Sequence, residues 1–158
     1  MFRELIRKKQ RLSEEECVQV LQEQTRGVLS VLGEDGYPYG MPMNHYYNPD
    51  DGCVYFHCGL AGHRVDALGR CDKVSFCVYD QGYRRDGEWA LNVRSVIVFG
   101  RMQMLTDAAL IADITARLSR KFTQDEAYIR REIEGGAHHT LLLRLVPEHI
   151  CGKKVVEA

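Results

Sequence analysis

The stretch CVYFHC (53–58) runs through GLAG (59–62) into HRVDALGR (63–70), setting two glycines and two basic side chains, His63 and Arg64, where a helix should begin. Residues in that order can hold a phosphate. Glycines let the backbone come close, the N–H groups of a first helical turn point outward unpaired, and a guanidinium forks onto phosphate oxygens. The plainer alternative is that Gly59 and Gly62 only turn the chain and Arg64 is solvated. The spacing fits neither the P-loop nor the dinucleotide-binding glycine pattern. Cys53, His57, Cys58, His63, Cys71 and Cys77 crowd into the same region, which raises the question of zinc. A zinc site needs four converging ligands; no C-x-x-C occurs, and strand alternation sends His57 and Cys58 to opposite faces, so no metal site is expected.

Those residues need elements to position them. Ser13-Glu14-Glu15-Glu16 is a capping box opening a helix with Cys17, Val20 and Leu21 on its apolar face. The run 27–32 and the run YPYGMPMNHYY (37–47) flank the turn signal EDG (34–36) and read as a hairpin. Pro38 and Pro42 share a parity, which confines their missing N–H groups to an edge or an irregular strand. Further strands are expected at 53–58, 73–80, 93–105 and 140–146, with a helix carrying Val65 and Leu68 after Gly62. A second capped helix follows Asp107, presenting Leu110, Ile111, Ile114 and Leu118. Gly135-Gly136 reads as a flexible joint before the last strand, and His138-His139 as exposed loop residues. Short turns between successive strands favour antiparallel pairing and a closed or nearly closed barrel decorated by helices.

The chain has 158 residues, 45% apolar and 27% charged, with a net charge of −1. It is long enough for one domain, 1–158, with its own core, and nothing in its charge selects a nucleic acid. The basic segment MFRELIRKKQR precedes no apolar h-region and no window is apolar enough for a membrane span, which reads as a cytoplasmic location. Six cysteines without a signal peptide are expected to be reduced thiols.

In order and spacing, MFRELIRKKQRLSEEECVQVLQ, GVLSVLGEDGYPYGMPMNHYY, VYFHCGLAGHRVDALGRCDKVSFCV, VRSVIVFGR and PEHICGK resemble the nitroimidazole-resistance (Nim-type) proteins of the pyridoxamine 5'-phosphate oxidase-like flavin-binding superfamily. The resemblance spans nearly the whole chain, and YPYGMP, YFHCGLAGHR and RSVIVFG carry most of it. It implies a mainly β, six- to seven-stranded antiparallel split β-barrel with peripheral α-helices, a homodimer, and FMN in a groove between subunits. It implies that His63 and Arg64 anchor the phosphate, while Met43, Asn44 and His45 line the ribityl chain and ring. His57 falls on the family's strand histidine beside flavin or substrate and is the candidate catalytic residue, with Cys58 next to it among the cofactor-lining residues. Arg94 and Ser95 are implied to reach the flavin from the partner subunit. Without the resemblance, Asn44 and His45 read as a polar strand edge and His57 as a hydrogen-bonded core histidine.

Two departures stand out. His45 occupies a position where relatives often carry an aromatic, and the loop QGYRRDGEWALN (81–92) is unusually basic, with the lone Trp89. That loop is a candidate lid, or else a solvated pair of arginines with Trp89 packed. The function implied is an FMN-dependent oxidoreductase passing electrons from a nicotinamide donor, NADH or NADPH, to a small electrophile such as a nitroaromatic. The alternatives are a flavin-binding or redox-sensing module without turnover, and a haem-binding split barrel that uses its histidines as axial ligands.

Overall fold

The computed structural model describes residues 1–157. Helix α1 (Glu14–Glu23) starts on the expected capping box, with Glu16 N–H donating to Ser13 Oγ and Ser13 N–H to the Glu16 carboxylate. Seven strands follow, β1 (Arg26–Leu32), β2 (Pro38–Asn44), β3 (Tyr46–Asn48), β4 (Cys53–Cys58), β5 (Lys73–Tyr79), β6 (Leu91–Leu105) and β7 (Leu141–Glu157). Helix α2 (His63–Arg70) joins β4 to β5, and α3 (Ala108–Ser119) and α4 (Glu126–Gly136) join β6 to β7. Every strand pairing is antiparallel, in the order β2-β1-β5-β6-β7-β4-β3. Pro38 and Pro42 lie on the edge strand β2, as their missing donors require.

The two edges of this sheet, β2 and β3, are consecutive in the chain with only His45 between them. One residue cannot bridge opposite edges of an open seven-stranded sheet, at roughly 4.8 Å per strand. The sheet must therefore roll until its edges meet, which makes the curled barrel expected from the strand order.

His45 is the seam. Its backbone N–H donates to Thr25 O at 3.3 Å, its ring Nε2–H donates to Leu21 O at 2.8 Å, and its ring packs edge-on against Phe76 at 4.9 Å. The ring is completely buried, and burial together with the nearby Lys121 ammonium pushes its pKa down to about 3. Lys121, in the loop after α3, donates from Nζ to Gln24 O at 2.5 Å and to His45 O at 3.1 Å, tying the end of α1 to the seam. A cation there also complements the C-terminal end of the α1 dipole.

The barrel interior takes alternate residues of each strand, Leu29 and Val31, Met41 and Met43, Val54 and Phe56, Phe76 and Val78, and Val96 and Val98, together with Val20 and Leu21 of α1. On the outside, α3 lays Ile111 and Ile114 over Cys53, Tyr55 and Leu142. The N-terminal segment crosses the outer face of β6 and β7, where Phe2 stacks on His149 at 4.9 Å.

The structure departs from the sequence expectations in four places. The run 37–47 breaks at His45 into β2 and β3, because the edge strand must cross over to pair with β4. The last strand extends to Glu157, because β6 supplies a partner along its whole length past a bulge at Phe99/Gly100. Gly135 and Gly136 close helix α4, which the sequence reading did not anticipate, instead of forming a free joint. Trp89 is 73% exposed and is no packing residue.

Because His45 is neutral in the fold and ordinary when unfolded, its contribution to stability is complete above pH 6.5 and is lost as pH falls toward 3. Urea unfolding over acid pH should show the wild type losing up to about 1.4 kcal/mol per pH unit more than His45→Gln between about pH 6 and pH 4. Equal slopes in the two proteins contradict the seam's electrostatics.

Candidate functional site

The seam also creates a groove. Tyr46 pairs with Tyr55 and Tyr47 with Val54, so the same register carried back past His45 sets Asn44 opposite His57 and Met43 opposite Cys58. Among the described residues no ladder joins β2 to β4 there; the strands diverge. The gap is a groove of 330 Å³ lined by Arg26, Pro42, Met43, Asn44 and His57. That volume is at the lower end of the roughly 300–1,000 Å³ of ligand pockets, so the chain supplies a shallow groove more than an enclosed cavity.

Farther along the gap, α2 fills it. Ala67 and Leu68 enter the core, and the helix opens on Gly62 at φ 121°, a conformation that a side-chain-bearing residue rarely adopts. Gly62 has no capping side chain, so the N–H groups of the first turn have no acceptor from a cap. Arg64 Nε lies 2.8 Å from Met41 Sδ and the guanidinium charge is close enough to pull on the Cys58 thiol, which places it between β2 and β4. A thioether is a weak acceptor, and among the described residues no carboxylate pairs with Arg64 or with Arg26. His63 stacks on Tyr39 at 4.2 Å with the rings 11° apart. An unneutralised guanidinium beside free N–H groups, one residue along each strand from the groove, is chemistry suited to a phosphate ester.

His57 is the next outward residue of β4 after Tyr55, just past the cover of α3, and it reaches solvent at the groove. Burial of part of the ring nevertheless lowers its pKa, so the imidazole is neutral at pH 7. Cys58 points to the other face, as alternation requires, and burial raises its thiol pKa against the opposing pull of Arg64. It is a protonated thiol at neutral pH and no nucleophile. All six cysteines are free.

Other expected site residues are placed differently. His45 is inside the barrel with no accessible surface, so its ring lines no open groove. Its one unpartnered atom, Nδ1, faces the core. Met43 is 7% exposed and lends the groove only its edge. Arg94 is engaged within the chain: Nε donates to Asp80 at 2.7 Å and Nη2 to Glu23 at 3.1 Å, and the hydrogen bonds to Asp80 raise its pKa. The hairpin between β5 and β6 brings Asp80 to Arg94, a pairing across the loop that residue types alone do not reveal. Ser95 lies on the outer face between Tyr79 and Lys153 and is partly exposed.

Arg26 is a groove residue that the sequence reading missed. It pairs with Asn44 in the β1–β2 ladder, and its Nε–H donates to Asn44 Oδ1 at 2.9 Å. The signal was present in the hairpin: a turn at 34–36 with Leu32 opposite Pro38 counts back to Arg26 opposite Asn44.

A larger cavity, 770 Å³, lies elsewhere, between residues 11–17 and β7, and it is lined by Glu14, Glu16 and Glu148 against Arg11 and His149. Three carboxylates there disfavour an anionic ligand, so volume alone does not mark the site.

The sequence model of the pyridoxamine 5'-phosphate oxidase family matches residues 13–154. The chain belongs to that family. No curated protein sequence matches it. Solved structures of the same fold include a candidate 5-nitroimidazole antibiotic resistance protein from Bacteroides thetaiotaomicron, at 16% identity and TM-score 0.74, covering 91% of this chain and 86% of that one. An FAD-binding protein from Mesorhizobium loti shares 23% identity at TM-score 0.66, covering 92% and 96%. An FAD- and haem-binding protein from Mycobacterium smegmatis shares 20% identity at TM-score 0.72, covering 92% and 72%. These likenesses establish the family's barrel for this chain, and among the described residues no helix is long and apolar enough to cross a membrane.

In the ligand-free protein, the His57 ring followed by NMR should titrate below the ordinary histidine midpoint of 6.5. A midpoint at or above that value contradicts the partial burial assigned to it.

Proposed function

We infer that the protein binds a flavin, FMN in particular, in the groove between β2 and β4 and uses it as an oxidoreductase. The observation that carries this reading is the uncompensated Arg64 at the uncapped start of α2, continuous with a groove lined by Arg26, Asn44 and His57. His63 and Arg64 would hold the terminal phosphate, and Asn44, Arg26 and His57 would meet the ring, with Met43 beneath it. Flavin-binding neighbours within the same fold support the ligand class. A single phosphate anchor suits FMN, whereas FAD needs a further site for its adenosine half.

When bound, the flavin would supply hydride and electron chemistry, leaving the protein to bind, orient and tune. A neutral His57 at the ring end could accept a proton from a substrate held in the groove, or donate a hydrogen bond to it. The donor proposed is NADH or NADPH, and the acceptor a small electrophile such as a nitroaromatic, in keeping with the neighbour from Bacteroides thetaiotaomicron. Anaerobic mixing of the flavin-loaded protein with each donor should bleach the oxidised flavin band with at least one of them. A band that persists with both rules out turnover with nicotinamide donors and leaves a binding module.

A second copy of the chain would close the groove. The outer face of β1, β5, β6 and β7 presents the aligned row Val28, Cys77, Ile97 and Cys151, with Val28 39% exposed and Tyr79, one step along, 62% exposed. Among the described residues no helix covers this row over β1 and β5, and a homodimer with flavin between subunits would bury it. Light scattering at micromolar concentration should give a dimer; a monomer holding stoichiometric FMN contradicts this part of the reading.

The phosphate anchor has its own test. Arg64→Ala should weaken FMN about ten- to a hundredfold, the equivalent of about 1.5–3 kcal/mol for a hydrogen bond to a charged group, while leaving riboflavin nearly unchanged. Equal weakening of both ligands in titrations of the apo proteins places Arg64 away from the phosphate. Release of haem with a Soret band in place of a yellow chromophore replaces the flavin reading altogether.

A further inference from the structure

We propose that Arg26, oriented by Asn44, is the positive pole of the groove that makes bound flavin easier to reduce; this rests on the flavin reading above. The geometry begins with the spacing along β2. Arg64 contacts Met41, and Asn44 stands three residues farther on, roughly 10 Å at about 3.3 Å per residue. That interval matches the reach of a five-carbon ribityl chain with its phosphate ester. A phosphate at His63 and Arg64 therefore brings the ring to Arg26, Asn44 and His57, which line the groove together.

The donor inventory at that end is unusual. Arg26 spends its Nε–H on Asn44 Oδ1, which fixes the guanidinium plane and leaves its other N–H groups free of any protein acceptor among the described residues. Asn44 has its acceptor occupied, so its amide NH₂ offers only donors. The pair presents a donor-only, positively charged edge. The pyrimidine side of a flavin is rich in acceptors, and on two-electron reduction negative charge collects at N1 and the C2 carbonyl. A fixed cation there stabilises the reduced form more than the oxidised one. His57 does not compete for this role, because its ring is neutral at pH 7. Among the described residues the groove lining contains no carboxylate that would cancel the charge.

The test is the two-electron midpoint potential of the flavin-loaded protein at pH 7, reduced with dithionite against a reference dye. Arg26→Gln should reduce the preference for reduced over oxidised flavin about tenfold, which lowers the potential by about 30 mV. Arg26→Lys, which keeps the charge, should restore most of it. Asn44→Asp places a carboxylate against the guanidinium and should lower the potential in the same direction without touching Arg26. Potentials equal to wild type in Arg26→Gln and Asn44→Asp, with flavin still bound, overturn the proposal while leaving the flavin site standing. A wild type that takes up neither FMN, FAD nor riboflavin overturns the flavin reading and this proposal together.

Discussion

Everything in this structure depends on one residue having to join the two edges of a sheet. β2 and β3 are outermost in strand order and adjacent in sequence, so the seven strands have no flat solution. His45 fulfils the connection by spending its backbone N–H on Thr25, its ring N–H on Leu21 and its carbonyl on Lys121. An apolar residue of the same size would leave Leu21 O without that donor in the interior, where an unmet acceptor is costly. A charged histidine would face the Lys121 ammonium in a buried setting, and the depressed pKa is the consequence.

The same constraint makes the groove. Edges forced together at His45 still belong to strands that pair with different neighbours, β2 with β1 and β4 with β7, so they separate again on leaving the seam. Helix α2 enters where the gap is wide, and the narrow part between it and the seam stays open. The first turn of α2 and the guanidinium of Arg64 lie at one end, and Arg26, Asn44 and His57 lie at the other. The fixed positive charge of the site comes from Arg26 and Arg64, and His57 adds none at pH 7. Arg94, by contrast, is neutralised by Asp80 and Glu23 and braces α1 against the start of β6.

Much of this was legible in the sequence. The capping box at Ser13, the N-cap at Asp107, the alternation of β4 and the glycine entry to α2 are local signals, and each reads directly from residue type and spacing. Resemblance to a flavin-binding superfamily then supplied the barrel, which no local pattern contains. What stayed hidden was tertiary. The burial of His45 follows from the roll of the sheet, and a histidine on a strand looks the same whether it faces a ligand or a core. The Arg94–Asp80 pair and the reach of Lys121 to the seam span 14 and 76 residues, and no periodicity encodes them. Helix α4 carries a single buried apolar residue, Ile129, so its hydrophobic pattern was too weak to see.

The central claim is that flavin occupies the gap between β2 and β4 beside the His45 seam. Hydrogen exchange of the apo protein with and without saturating FMN tests it most directly, because exposed amides slow only where the ligand covers or stiffens them. The account predicts slowed exchange at residues 43–44, 57–58 and 62–65. Protection confined to residues 11–17 and 148–152, around the larger acidic cavity, would contradict it.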